Sequence, residues 1–147
     1  MRKTKKLMSG IIAMGMAIAL SIPVFADEVV PMSAVDSDFP TPFIGYTSSK
    51  SYNTGTRSKD NTTYNYVLNT SGFDLWVITR AGRDKSNQTK NGHAIVKSGE
   101  WFIANYVREK GYTSCFLNIT TATSGTSGYL RGKWSPDSVG SCPVANR

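Results

Sequence analysis

The sequence predicts an all-β protein, a small antiparallel β-sandwich or barrel with one short helical turn, behind a cleaved N-terminal signal peptide. Three observations predict it. From Phe43 onward, short runs rich in Tyr, Thr, Val and Ile are separated by clusters of Gly, Ser, Asn and Asp, the punctuation of strands and turns. The chain has 147 residues, and removal of a leader ending at Ala26 leaves enough for one modest core and too little for two domains. Beyond the leader, a helical period competes only around Asn105 to Lys110.

The leader is read from its own pattern. Arg2, Lys3, Lys5 and Lys6 form a basic start, Ile11 to Ile22 is almost entirely apolar, and Val24-Phe25-Ala26 offers small or medium side chains where a signal peptidase must accommodate them. The alternative is a retained membrane anchor. A spanning helix needs about 20 predominantly apolar residues, whereas Leu7 to Phe25 is interrupted by Ser9, Gly10, Gly15, Ser21 and Pro23. The mature chain is therefore expected to be secreted, to start at Asp27 and to lack a transmembrane span. Residues 27–42 carry Pro31, Pro40 and Pro42 together with four acids, and read as a flexible leader to the fold or a short pro-segment. Residues 43–147 form the single β domain.

Seven strands are expected: Phe43 to Thr47, Thr62 to Asn69, Asp74 to Arg80, His93 to Lys97, Glu100 to Ala104, Thr113 to Thr121 and Gly128 to Trp134. Thr70-Ser71-Gly72 reads as a hairpin turn, and Asn91-Gly92 is a strong turn signal. Asn105 can cap a single helical turn that Gly111 ends in a left-handed conformation. A longer helix from Ser98 is the runner-up, because Ile103, Tyr106 and Val107 also fit a helical period.

Cys115 and Cys142 are the two cysteines, and in an oxidising compartment an even pair predicts a disulfide. Closing that loop would add about 3 to 4 kcal/mol on a loop-entropy basis. Charge is asymmetric. Residues 43–147 hold 13 basic and 6 acidic side chains, a net +7, behind a segment whose only charges are Asp27, Glu28, Asp36 and Asp38. A basic exported body would be drawn to an anionic cell-envelope component; a solubilising scatter of Lys and Arg is the plainer reading. Arg80, Arg83, Lys85, Arg108, Lys110, Arg131 and Lys133 fall near strand ends and form the candidate binding surface. Trp76, Trp101 and Trp134 are candidate aromatic contacts, although a core of this size needs most of its aromatics and Trp76 and Trp101 sit in apolar surroundings.

Asn105-Tyr106-Val107-Arg108-Glu109-Lys110-Gly111-Tyr112, with the later Gly132-Lys133-Trp134-Ser135-Pro136-Asp137-Ser138, resembles the C-terminal half of a family of small secreted Gram-positive bacterial proteins that is a domain of unknown function. The resemblance covers residues 43–138. It implies a signal peptide, a compact β fold and a bacterial exterior, and it implies no activity. The tail from Val139, with Cys142, runs past the family's usual end. On its own chemistry the Trp-Ser-Pro-Asp-Ser segment reads as a terminator: Pro136 fixes a turn, Asp137 binds backbone amides, and Trp134 closes the last strand on the core.

Catalytic and metal motifs are missing from the sequence. His93 has no neighbouring ligand, Asp36 and Asp38 make only half of a calcium loop, and the nucleophile-elbow, phosphate-loop and zinc-helix patterns are lacking. No cofactor, metal or nucleic acid is expected. The sequence thus favours a non-enzymatic secreted β-domain that meets a cell envelope or another exported protein, bacteriocin-like in one form. A wall- or carbohydrate-binding module is the alternative and a small secreted hydrolase the second.

Overall fold

The computed structural model describes residues 32–147; the expected signal peptide and mature start lie outside the described residues. The protein is all-β, as expected. Its strands are β1 (Ser37–Asp38), β2 (Phe43–Ile44), β3 (Tyr52–Asn53), β4 (Arg57–Ser58), β5 (Asn65–Asn69), β6 (Leu75–Ala81), β7 (Ala94–Val96), β8 (Gly99–Ile103), β9 (Ser114–Thr121), β10 (Gly128–Tyr129) and β11 (Gly132–Ser135). Short 3-10 turns occupy Met32–Ala34, Ser48–Lys50 and Lys90–Gly92.

Two antiparallel sheets enclose the core. The smaller has the order β1-β11-β5-β8. The larger has the order β3-β9-β6-β7, with β4 continuing the edge beside β9. Asn53 faces Asn118 and Arg57 faces Cys115, so four steps along β3 and β4 answer three along β9, a bulge that bends this edge. A separate pair, β2 with β10, completes the fold. Val67, Ile103 and Trp134 from the smaller sheet pack with Leu75, Val77, Val96, Leu117 and Ile119 from the larger, which makes the arrangement a sandwich.

Polar side chains staple the sheets across this core. Asn65 and Asn69 point inward from β5. Asn65 accepts a hydrogen bond from Thr79 Oγ1 at 2.5 Å and donates to Pro136 O at 2.8 Å. Asn69 donates to Val96 O on β7 at 3.0 Å. Because both of these inward amides are matched, the desolvation cost of leaving them unpaired is avoided, and the relative position of the sheets is fixed by direction as well as by area.

The Trp-Ser-Pro-Asp-Ser segment closes the last strand onto the core as its chemistry predicts. Trp134 is 2% exposed and packs in the core. Asp137 is buried and accepts from the Asp60 amide at 2.7 Å and from Lys59 Nζ at 2.6 Å. The Lys59 ammonium, also buried, donates further to Pro136 O at 2.9 Å and Thr63 O at 2.5 Å.

The Asn105 turn is a single turn: the Lys110 amide donates to Tyr106 O at 3.0 Å, Asn105 Oδ1 accepts from the Val107 amide at 3.2 Å, and Gly111 has φ of 85°. Gly99–Ile103 is strand β8, so the longer helix from Ser98 does not form. Three other expectations change. Thr70-Ser71-Gly72 does not close a hairpin, because β5 and β6 belong to different sheets and the turn carries the chain from one to the other. The strand expected over Gly128 to Trp134 is two, since β10 pairs with β2 and β11 with β5 and β1. Residues 32–42 enter the fold: Ser37 pairs with Trp134, Asp38 with Lys133, and Phe39 is buried in the core.

The expected disulfide is absent, and Cys115 and Cys142 are free thiols. Cys115 points inward from β9, 3.8 Å from Asn65 Nδ2, with Leu117 and Ile119 beside it in the core. Cys142 precedes a tail that runs along the outer edge of the other sheet, where the Phe102 amide donates to Pro143 O at 2.8 Å and the Ala145 amide to Phe102 O at 2.8 Å. Asn146 completes the strap by gripping both backbone groups of Ala104 at 2.8 Å. Burial pushes the Cys115 thiol up to about 11.

Candidate functional site

Alternation along β6 and β9 builds the outer face of the larger sheet. Leu75, Val77 and Thr79 turn into the core, so Trp76, Ile78 and Arg80 turn outward, and Asn118 and Thr120 do the same from β9. Register places Trp76 between Ile95 and Thr120, and Ile78 beside Asn118. Tyr46 and Ser48, from the β2–β3 connection, rise along one side. The result is an open groove of about 310 Å³. That wall is anchored, because the Thr121 amide donates to Gly45 O and the Gly45 amide to Lys50 O, each at 3.0 Å.

Trp76 is 36% exposed, which corrects the expectation of a buried indole. His93 stacks on it with ring centroids 3.6 Å apart and an angle of 5° between planes. The imidazole therefore covers one indole face and helps to hold the ring that lines the groove. His93 is held by the turn before it, where Asn91 and Gly92 take φ of 63° and 87°. Asn118 Nδ2 is engaged by Asn53 Oδ1 at 2.6 Å and Ser51 Oγ at 3.2 Å, so its orientation too is set.

A second hollow, about 240 Å³, lies between the same β2–β3 connection and the β9–β10 turn. Gly45, Tyr46, Thr47 and Lys50 line one side, and Gly125, Thr126 and Ser127 the other. Tyr46 belongs to both hollows and is 49% exposed.

The expected basic surface is divided. Arg80, Arg83 and Lys85 gather at the end of β6, where Arg80 Nη1 donates to Lys85 O at 2.9 Å and Arg83 lies 5.0 Å over the Tyr112 ring. The carboxylate of Asp84 in the same loop is held at about 2 by hydrogen bonds from Ser86 and from Tyr112. Arg108 and Lys110 sit in the Asn105 turn. The Arg108 guanidinium donates to Lys59 O at 3.5 Å, and Lys110 lies 5.6 Å over Tyr106. Arg131 lies 5.9 Å over Tyr129. Lys133 faces outward from the smaller sheet and pairs with Asp36 at 3.1 Å. Arg80 and Lys133 thus lie on the outer faces of different sheets, and the structure does not bring all seven cations to one surface.

Of the three tryptophans, Trp76 reaches the groove. Trp101 is half-buried against the core with Nε1 donating to Ser98 O at 3.2 Å. Trp134, at 2% exposure, is not an aromatic contact, because it closes the core instead. Tyr46, Lys50 and Asn118 are not among the sequence candidates and His93 is weighed there only as a metal ligand, since nothing in their local pattern shows that a connection folds over the sheet.

Together these features define a small antiparallel β-sandwich domain with a preformed groove on its larger sheet. The chain belongs to the family described as Protein of unknown function (DUF2712), whose match covers residues 22–138. Comparison with curated proteins and with solved structures gives no match.

Proposed function

We propose that this protein is a secreted, non-enzymatic β-domain of the Gram-positive cell exterior that binds wall carbohydrate through the outer face of its larger sheet. The observation that carries this reading is the Trp76 indole, held by His93 at the groove it lines with Tyr46, Arg80 and Asn118. An indole face matches the apolar face of a sugar ring, and fixed polar groups around it serve the hydroxyls. Retention of the purified protein on Gram-positive wall material tests the reading. Trp76→Ala should weaken it by about tenfold, equivalent to about 1.4 kcal/mol, and unchanged retention would reject it.

A second reading rests on a different surface. Phe43 and Tyr129 are 56% and 53% exposed, meet edge to face at 5.2 Å, and have Arg131 beside them. Exposed aromatics next to a cation suit an anionic membrane interface, as a bacteriocin-like antagonist would require. Sedimentation with anionic vesicles, lost in Phe43→Ser, would favour it.

A further inference from the structure

The two hollows share Tyr46 as a common wall, and we infer that together they select a linear anionic glycan, a chain of two or more sugar or polyol units bearing carboxylate or phosphate. The inference rests on reading the Trp76 groove as a sugar site and adds the length and charge of its ligand. At about 310 and 240 Å³, each hollow sits at or below the lower limit of about 300 Å³ usual for a drug-sized ligand. Each therefore suits a single unit, and their shared Tyr46 makes a chain crossing from one to the other the natural occupant.

Charge supplies the sign. Arg80 lines the Trp76 hollow and Lys50 the other, and neither lining contains an acid among the described residues. A polymer carrying one negative group per unit would meet a cation in each, whereas a neutral chain would leave both unanswered. The rest of the second lining is hydroxyl-bearing or glycine, from Thr47, Thr126, Ser127, Gly45 and Gly125. That composition donates to and accepts from sugar hydroxyls without an apolar barrier.

Gly45 positions the second cation. A Cβ there would lie 2.9 Å from Lys50 Cδ and 3.2 Å from Lys50 Cβ, so only glycine lets the lysine stem lie across the loop. Gly45→Ala should move the ammonium without removing it. The sequence Gly45-Tyr46-Thr47-Ser48-Ser49-Lys50 thus acts as a unit that holds a ring between the hollows and a charge beyond it.

Calorimetric titration with trigalacturonic acid, monogalacturonic acid and the neutral trimer cellotriose tests this directly, with a glycerol phosphate oligomer as the phosphate-bearing arm. The charged trimer should bind about tenfold or more tighter than either cellotriose or the charged monomer, and should weaken as salt rises from about 0.02 to 0.2 M. Lys50→Gln should bring charged trimer and charged monomer close together, Lys50→Glu should go further, and both replacements are at an exposed side chain that the core does not use. Preference for trigalacturonic acid or for the glycerol phosphate oligomer distinguishes carboxylate from phosphate sources. Equal binding of charged and neutral trimers, still abolished by Trp76→Ala, would overturn the inference and leave the sugar site standing. Binding of any probe that ignores Trp76→Ala, or no binding of any, would overturn both.

Discussion

Lys59 and Asp137 meet in the interior with the ammonium 2.6 Å from Oδ1 and neither side chain exposed. Burial opposes ionisation of Asp137, but hydrogen bonds from Lys59 and the Asp60 amide, with the lysine charge, hold its carboxyl below the usual range. The pair ties the chain between β4 and β5 to the turn after β11. Removing one partner leaves an uncompensated buried charge, so Asp137→Asn or Lys59→Met should each cost about 3 to 5 kcal/mol in urea unfolding. The double replacement by apolar residues should recover much of that loss.

The same pair sets an acid limit. Since the carboxyl is lowered in the folded state, its contribution is complete above the unfolded carboxylate value of about 3.9 and is lost as pH falls through the lower folded value. Stability followed by circular dichroism should decline below about pH 4, and Asp137→Asn should flatten that decline.

The two thiols should differ in reactivity. Cys142 is partly exposed, whereas Cys115 is buried and its thiol is raised to about 11. Alkylation of the folded protein should label Cys142 alone, and denaturant should release a second label. Protection of both until reduction would restore the disulfide expectation.

Gly132 has φ of 130°, and a Cβ there would stand 1.8 Å from Leu68 O, inside the β5–β11 pairing. Gly132→Ala should therefore destabilise by more than about 1 kcal/mol, the scale on which a compatible glycine replacement would instead have helped. Thermal unfolding decides it.

His93→Ala should release the Trp76 ring. The loss in stability should be small, about 0.5 to 1.5 kcal/mol for one stacked pair. Quenching of Trp76 fluorescence by acrylamide should nevertheless increase, which separates an orienting role from a structural one.

Much of the fold was legible because strand alternation and turn chemistry are local. The Asn105 turn, the Asn91-Gly92 turn and the Trp134 terminator all follow from residues within a few positions of one another. In β5, by contrast, Asn65-Tyr66-Val67-Leu68-Asn69 alternates in a way that admits either face. The inward choice depends on Thr79 and Val96, which no local pattern ties to it. Lys59 looks like one more surface cation until Asp137, far along the chain, is placed beside it. Trp76 shares its apolar surroundings with buried strand residues, and only the fold of the Tyr46 connection shows that its ring borders a groove.

The first described strand pairs with the last, since β1 lies against β11. Trp134, Asp137 and the Asn146 strap all arrive from the final fourteen positions of the sequence. A chain emerging amino end first therefore cannot seal this interior until residues 134–146 have followed, and contacts this distant along the sequence are slow to form. Until then the edge of β8 is bare and Lys59 lacks the Asp137 carboxylate, so the newly made chain is most open to proteases and to self-association in the interval before those residues dock.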